Sequence, residues 1–365
     1  MRENLHTRSS RAGNPRRLAA ACIAALLFSF GVLQAQTQNP AESLEKARQL
    51  TDAKHLTQAN EMLTAMVSRD PQNLAAWQQL GDVQLAQSLN SDAMNSFETV
   101  LKARPDAVTA QTGEVQAAIA EALTDRNAGN PDRALATLSR ARKYAPKSPE
   151  LLMDFGIQAD SMRIYKDAEE ALLEARRLDP ENAKVLYALA HVELDEQKTV
   201  EAEANLRAYL KIRPEDASAH YGLGHLLYMT LKDEEARAEL ERSIELQPRQ
   251  TESYYELGQI ALDAHDDATA KEDYLKVLTA APNHGGALTG MGVLAFRAKD
   301  YDTAAKYLKQ AVIFAPEYVT AHRYYAMTLA RLGLVQQSRQ EEATAQQLTE
   351  EQNRLRHGYS LRAIP

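Results

Sequence analysis

Prolines stand at positions 146, 180, 214, 248, 282 and 316, each 34 residues after the last. Pro71 and Pro105 extend the ladder at the same spacing, with one longer step of 41 residues into Pro146. A fixed period of this length constrains the fold more than any local propensity does. It marks a supersecondary unit that cannot bury its apolar face alone and stacks on copies of itself. With each proline at position 32 of a 34-residue unit, position 20 reads Ala59, Ala93, Ala134, Ala168, Ala202, Ala236, Ala270, Ala304 and Ser338. Position 8 is equally small: Ala47, Gly81, Gly156, Ala190, Gly224, Gly258, Gly292 and Ala326. Large apolar residues fill position 7, as in Leu80, Phe155, Leu189 and Leu223, and position 24, as in Phe97, Leu172, Leu206, Leu240 and Tyr274.

This pattern predicts two helices per unit. Small residues at 8 and 20 let the helix backbones approach, and large residues at 7 and 24 fill the wedge between them. Proline lacks an amide hydrogen and restricts its predecessor, so it ends the second helix. Asn73, Ser148, Asn182 and Asp216 follow as N-caps for the next first helix.

The unit Leu74 to Ala107, with Trp77, Leu80, Gly81, Ala93, Phe97 and Pro105, resembles the tetratricopeptide repeat pattern W-x2-L-G-x2-Y, then Ala, Phe and Pro. The resemblance covers residues 40–352, about nine units. It implies an all-α, right-handed α-solenoid, with regular repeats at 74–107 and 149–318 and an irregular repeat at 108–148. That third unit absorbs seven extra residues, expected in its first helix or in the turn marked by Asn127, Gly129, Asn130 and Pro131. Ser338 and Glu342 replace the packing residues of the last second helix, which reads as a solvated cap leading into a tail over 353–365. The eighth unit opens Gly285-Gly286 and adds Gly290 and Gly292. Interior glycines predict the weakest first helix of the array, a place for the superhelix to flex. No Lys-Ser/Thr follows and no strand precedes, so a phosphate loop does not fit.

Residues 1–35 stand apart. Arg16-Arg17 precedes an apolar run from Leu18 to Leu33 and then Gln34-Ala35-Gln36, the pattern of a secretory signal cut after Ala35. The alternative is an uncleaved membrane anchor, and 36–41 reads as a polar linker. The expected location is periplasmic or secreted, or membrane-anchored with the solenoid outside the cytoplasm. The single cysteine, Cys22, lies inside the apolar run, so the rest of the chain has no thiol chemistry. The net charge of −8 splits into +4 over the first 35 residues and −12 beyond them. An acidic body excludes nonspecific nucleic-acid binding, which needs a basic face.

In the family, first helices line a concave groove with positions 2, 5, 9, 12 and 13. Carried onto this chain, these positions give Tyr187, Tyr221 and Tyr255 at 5; His191, His225 and Gln259 at 9; Tyr228 at 12; and Arg297 and Arg331 at 13, with Arg323 at 5. Tyrosine offers broad apolar contact with a hydroxyl handle. Some family members clamp a peptide carboxylate with lysine at 5 and asparagine at 9, and that clamp is absent here. The three arginines form a C-terminal basic end suited to an acidic partner. His191 and His225 alone are too few for a metal, with no third ligand evident, and no cofactor loop or nucleophile–base pair is visible. The expectation is a non-enzymatic adaptor holding a protein or peptide segment, in envelope complex assembly or secretion. The alternative is a glycan-binding or polysaccharide-export factor stacking sugars on the tyrosines.

Overall fold

A computed structural model describes residues 40–362, with side chains described for 41–354. The expected signal or anchor over 1–35, with Cys22, lies outside the described residues. Among the described residues the chain is all helix, and no helix is long and apolar enough to cross a membrane. It divides into two compact units, Met1–Gln158 and Ala159–Pro365.

The first unit contains α1 (Pro40–Asp52), α2 (Leu56–Arg69), α3 (Leu74–Ala86), α4 (Asn90–Ala103), α5 (Val108–Asn127), α6 (Pro131–Arg142) and most of α7 (Pro149–Ser161). The second holds α8 (Tyr165–Leu178), α9 (Ala183–Asp195), α10 (Thr199–Ile212), α11 (Ala217–Met229), α12 (Asp233–Leu246), α13 (Thr251–Asp263), α14 (Asp267–Ala280), α15 (Gly285–Arg297), α16 (Tyr301–Phe314), α17 (Val319–Arg331) and α18 (Val335–Arg362). Each is a solenoid of helix pairs in which consecutive helices pack. First helices of adjacent repeats also touch, α3 on α5 and, in the second unit, α11 on α13 on α15 on α17. The seven extra residues of the third repeat all enter α5, which has 20 residues where α3 has 13.

Both ends depart from expectation. Helix α1 starts at Pro40, so the last two residues of the expected 36–41 linker are helical; proline suits a first helical turn. Helix α18 runs to Arg362, through most of the expected 353–365 tail, because its Gln-, Glu- and Arg-rich sequence favours helix and meets no proline before Pro365.

The helix pairs lock through a contact 16 residues apart. A Cβ added at Gly81 would fall 2.6 Å from the Phe97 ring, at Gly224 2.7 Å from Leu240, at Gly258 2.6 Å from Tyr274 and at Gly292 2.5 Å from Leu308. Position 24 therefore presses directly on position 8. Where position 24 is aromatic, the next repeat yields as well: Gly113 lies under Phe97 and Gly290 under Tyr274, each 2.4 Å from a hypothetical Cβ. Phe97 and Tyr274 are fully buried. The glycines of α15 thus make room for neighbouring rings, Gly286 for Tyr255 and Gly290 for Tyr274.

The turns between paired helices repeat as faithfully. Lys54, Ser88, Gly129, Arg163, Gln197, Leu231, His265, Lys299 and Gly333 all have positive φ, and only two of them are glycine. At Gln197 the closing hydrogen bonds run from Lys198 N to Glu193 O (2.7 Å) and from Gln197 N to Leu194 O (3.0 Å), a Schellman ending. The opposite turns carry the expected caps. Asn73 Oδ1 accepts from Ala76 N, Asn182 Oδ1 from Val185 N, Asp216 Oδ1 from Ala219 N and Ser148 Oγ from Leu151 N. In four repeats the carbonyl of the repeat proline finds a partner six residues on: Trp77 Nε1 donates to Pro71, Gln111 Nε2 to Pro105, and His220 and His322 reach Pro214 and Pro316.

A buried carboxylate in the first unit goes unanswered. Both carboxylate oxygens of Glu114, on α5, are buried without a hydrogen-bond partner among the described residues. Burial, reinforced by the nearby Glu98 charge, pushes its carboxyl up to about 8, against a partial pull downward from Arg140 and Lys102. The folded chain therefore holds a proton here that the unfolded chain releases above its ordinary value of 4.5. Stability from this group falls as pH rises between those two values. Glu114→Gln is expected to melt like the parent at about pH 4 and higher than the parent at about pH 8, with the gap opening steadily between. Thermal melts across that range check this, and parallel curves for the two proteins would contradict it.

Candidate functional site

Positions 5, 9, 12 and 13 recur at one helical spacing on the first helices, so they share a face that successive repeats align. In the second unit this face carries every residue singled out from the sequence. On α9, Tyr187 is 40% exposed, with its ring centroid 5.1 Å from that of Tyr209. His191 is exposed and its Nδ1 lies 3.0 Å from Asp160 Oδ2. On α11, the half-buried Tyr221 stacks on His225 with centroids 6.1 Å apart. His225 Nδ1 is 2.9 Å from Glu256 Oε1, and the Tyr228 hydroxyl donates to Asp263 Oδ2 at 2.9 Å.

From α13 onward the face changes character. The Tyr255 ring lies 4.8 Å from that of His284 and 6.4 Å from that of Tyr274, and its hydroxyl shares a hydrogen bond with Tyr318. Gln259 Nε2 donates to the Tyr274 hydroxyl at 2.9 Å. These two residues hold α13 to its neighbours more than they face outward. Arg297 is likewise engaged, donating to the Leu262 carbonyl and to Asp267 Oδ1, both at 2.9 Å. Arg323 reaches Thr349 Oγ1 at 3.3 Å and remains exposed, as does Arg331. The basic end thus offers Arg323 and Arg331, with Arg297 already neutralised.

Electrostatics follow from burial. Desolvation, with smaller pushes from Glu256 and Glu252, drives the Tyr221 hydroxyl up to about 12, and raises Tyr187, Tyr228 and Tyr255 too. All four stay protonated hydroxyls, able to donate and accept. His225 is raised chiefly by its hydrogen bond to Glu256, against desolvation. Asp160 is raised chiefly by burial and also by the Asp195 charge, against the pull of His191.

The acidic partners Asp160 and Glu256 are absent from the sequence reading. The lattice could have found them. His225 meets Glu256 31 residues ahead, and His191 meets Asp160 31 residues behind, so position 9 touches position 6 of the next repeat and position 12 of the one before. A hollow of about 760 Å³ in the second unit opens at the helix ends, lined by Tyr209, Arg213, Pro214 and Asp216 among others. It adjoins the tyrosine face through Tyr209, whose hydroxyl donates to Asp216 Oδ2 at 2.6 Å.

Helix pairs stacked in sequence order, with an aligned face of first helices, define an all-α repeat protein of the interaction-scaffold class. Profiles of the tetratricopeptide repeat match residues 50–122 and 193–260, and a second profile of the same repeat matches 119–183, 153–217, 255–319 and 289–352. The chain belongs to the tetratricopeptide repeat family. Among solved structures it is similar to one described as the functional characterisation of Pseudomonas aeruginosa PilF, at 21% identity and TM-score 0.52, over 60% of this chain and 99% of that one. It is also similar to the Cut9 and Hcn1 hetero-tetramer of the APC/C, at 14% identity and TM-score 0.51, over 80% of this chain and 56% of that one. A crystal structure of MamA matches over 46% of this chain and 92% of that one, at 24% identity and TM-score 0.43. At these identities the likeness is one of fold. No curated protein sequence matches the chain.

The His225–Glu256 pair has a measurable signature. A raised folded value means the pair stabilises the fold fully below about pH 6.5 and loses that contribution as pH rises through the folded value. The His225 imidazole is expected to titrate above 6.5 by NMR, and Glu256→Gln to bring the midpoint down. A midpoint indifferent to Glu256→Gln would contradict the assignment.

Proposed function

We propose that the chain is a non-enzymatic adaptor whose second unit holds a segment of a partner protein along the face of α9 and α11. The observation that carries this reading is the run of Tyr187, His191, Tyr221, His225 and Tyr228, aligned on adjacent helices and still partly open to solvent. Aromatic side chains with fixed rotamers contribute contact area at low entropic cost, and each here keeps a polar handle. Repeat scaffolds of this family are generally protein-interaction modules, and an aligned face of first helices suits a segment lying across several repeats. Tyr255, Gln259 and Arg297 lie beyond this surface, where they tie α13, α14 and α15 to one another.

The pathway reading extends this proposal. Arg16-Arg17 and the apolar run from Leu18 to Leu33 support export, and hence a partner in envelope complex assembly or secretion, with the chain periplasmic, secreted or anchored outside the cytoplasm. The exposed Tyr187 ring also supports the glycan alternative, since a sugar face stacks on the same aromatic surface.

The test is crosslinked capture with the full chain beside the triple variant Tyr187→Ala, Tyr221→Ala and Tyr228→Ala, which leaves Tyr255 in place. Capture of a protein by the parent should fall by about tenfold or more in the variant, since aromatic anchors dominate such interfaces, while the melting transition stays cooperative. Equal capture by both proteins would refute the face. Saturation-transfer NMR signals from an envelope polysaccharide, lost in the same variant, would move the assignment to the glycan alternative.

A further inference from the structure

A second feature of the same unit has a different chemistry. His191 and Asp195 lie four residues apart on α9, so both point from one side of the helix. Asp160, from the end of α7, reaches the same spot. The ligand-type atoms of Asp160, His191 and Asp195 all lie within 4.8 Å of one another. The three residues come from two helices of successive repeats and converge in space rather than in sequence.

The local chemistry is that of a cation site. Asp160 Oδ2 is 3.0 Å from His191 Nδ1, while Asp160 Oδ1 is buried with no hydrogen-bond partner among the described residues. Asp195 is held by the Tyr165 hydroxyl, which leaves its other lone pairs available. Two carboxylates set this close repel, and the single imidazole compensates only when protonated. A divalent cation resolves both problems at once, neutralising the carboxylates and supplying a partner for the buried oxygen. Outer hydrogen bonds such as that from Tyr165 are what orient a ligating carboxylate.

The geometry points to a surface site for a divalent first-row transition cation, with His191, Asp160 and Asp195 as its three protein ligands. One imidazole with two carboxylates and no thiolate fits Zn²⁺ or Mn²⁺ better than a soft-metal or all-oxygen site. Bonds of about 2.0–2.2 Å need the three groups to close by roughly 1 Å, which a rotation of the exposed Asp195 side chain provides. His191 and Asp195 face solvent, so the remaining coordination positions take water or a side chain from a docked partner. The repeat itself does not demand this set. The equivalent positions one repeat on are Leu194, His225 and Met229, which cannot chelate. The inference stands without the partner-binding proposal, because it concerns the cation alone.

The test is calorimetric titration of the metal-free full chain with Zn²⁺ and, separately, Mn²⁺ and Mg²⁺, at neutral pH. One Zn²⁺ or Mn²⁺ per chain is expected at this site. His191→Ala and Asp195→Asn should each weaken it by at least about tenfold, while His265→Ala, at an exposed loop histidine, should not. Because His191 and Asp195 are exposed, both variants should fold, which circular dichroism verifies. Mn²⁺ should also broaden the His191 ring resonances ahead of those of His265. Zn²⁺ binding that is identical in His191→Ala, or no binding up to millimolar cation, would overturn the proposal.

Discussion

Everything in this molecule depends on how closely two helices of one repeat can approach. The large residue at position 24 rests on the backbone at position 8, sixteen residues earlier, with no room for a side chain where that residue is Gly81, Gly224, Gly258 or Gly292. Dense packing makes such contacts intolerant of added volume. Once each pair is locked, the first helices of neighbouring repeats are brought into contact, and residues at equal positions fall into line. The tyrosine face of α9 and α11 is a consequence of that alignment. So is the meeting of Asp160 with His191 and of His225 with Glu256, each across a repeat boundary.

The polar backbone is handled with the same periodicity. Each repeat has two turns, and each turn exposes carbonyl and amide groups that no helix satisfies. The turn inside a repeat closes through a left-handed residue, which for Leu231 or Arg163 costs conformational energy that glycine would avoid. The turn between repeats passes through the proline, and in four repeats its carbonyl is met by Trp77, Gln111, His220 or His322 from the following helix. Two of these side chains are histidines bridged onward to Glu239 and Glu341, so the same residue ties a turn to a second helix. Glu114 departs from this pattern, a carboxyl buried in the lengthened α5 beside the Glu98–Arg140 pair.

Much of this was legible in the sequence because it is periodic. The proline ladder, the small residues at 8 and 20 and the caps at Asn73, Ser148, Asn182 and Asp216 each have one local cause, and each stands where the pattern puts it. What stayed hidden depends on two repeats at once. Tyr187, Tyr221 and Tyr255 look equivalent in sequence, but Tyr255 packs over Gly286 whereas Tyr221 feels Glu252 at the matching position. Arg297 reads as a groove cation until Asp267, thirty residues earlier, is seen to hold it. The left-handed turns were invisible because seven of the nine residues there are not glycine. The expected tail over 353–365 is mostly helical because its residues favour helix and no proline interrupts them before Pro365.

The most direct test of the packing account compares one substitution at two places on α12. Ala236 is fully buried against α11, and Ala238, two residues on, is exposed. Denaturant unfolding of Ala236→Leu and Ala238→Leu adds the same volume to the same helix with no change in charge. The account predicts a loss of about 1–3 kcal/mol at Ala236 from overpacking and a change within about 0.5 kcal/mol at Ala238. Equal stabilities for the two variants would contradict the claim that helix approach at positions 8 and 20 sets the register of the whole array.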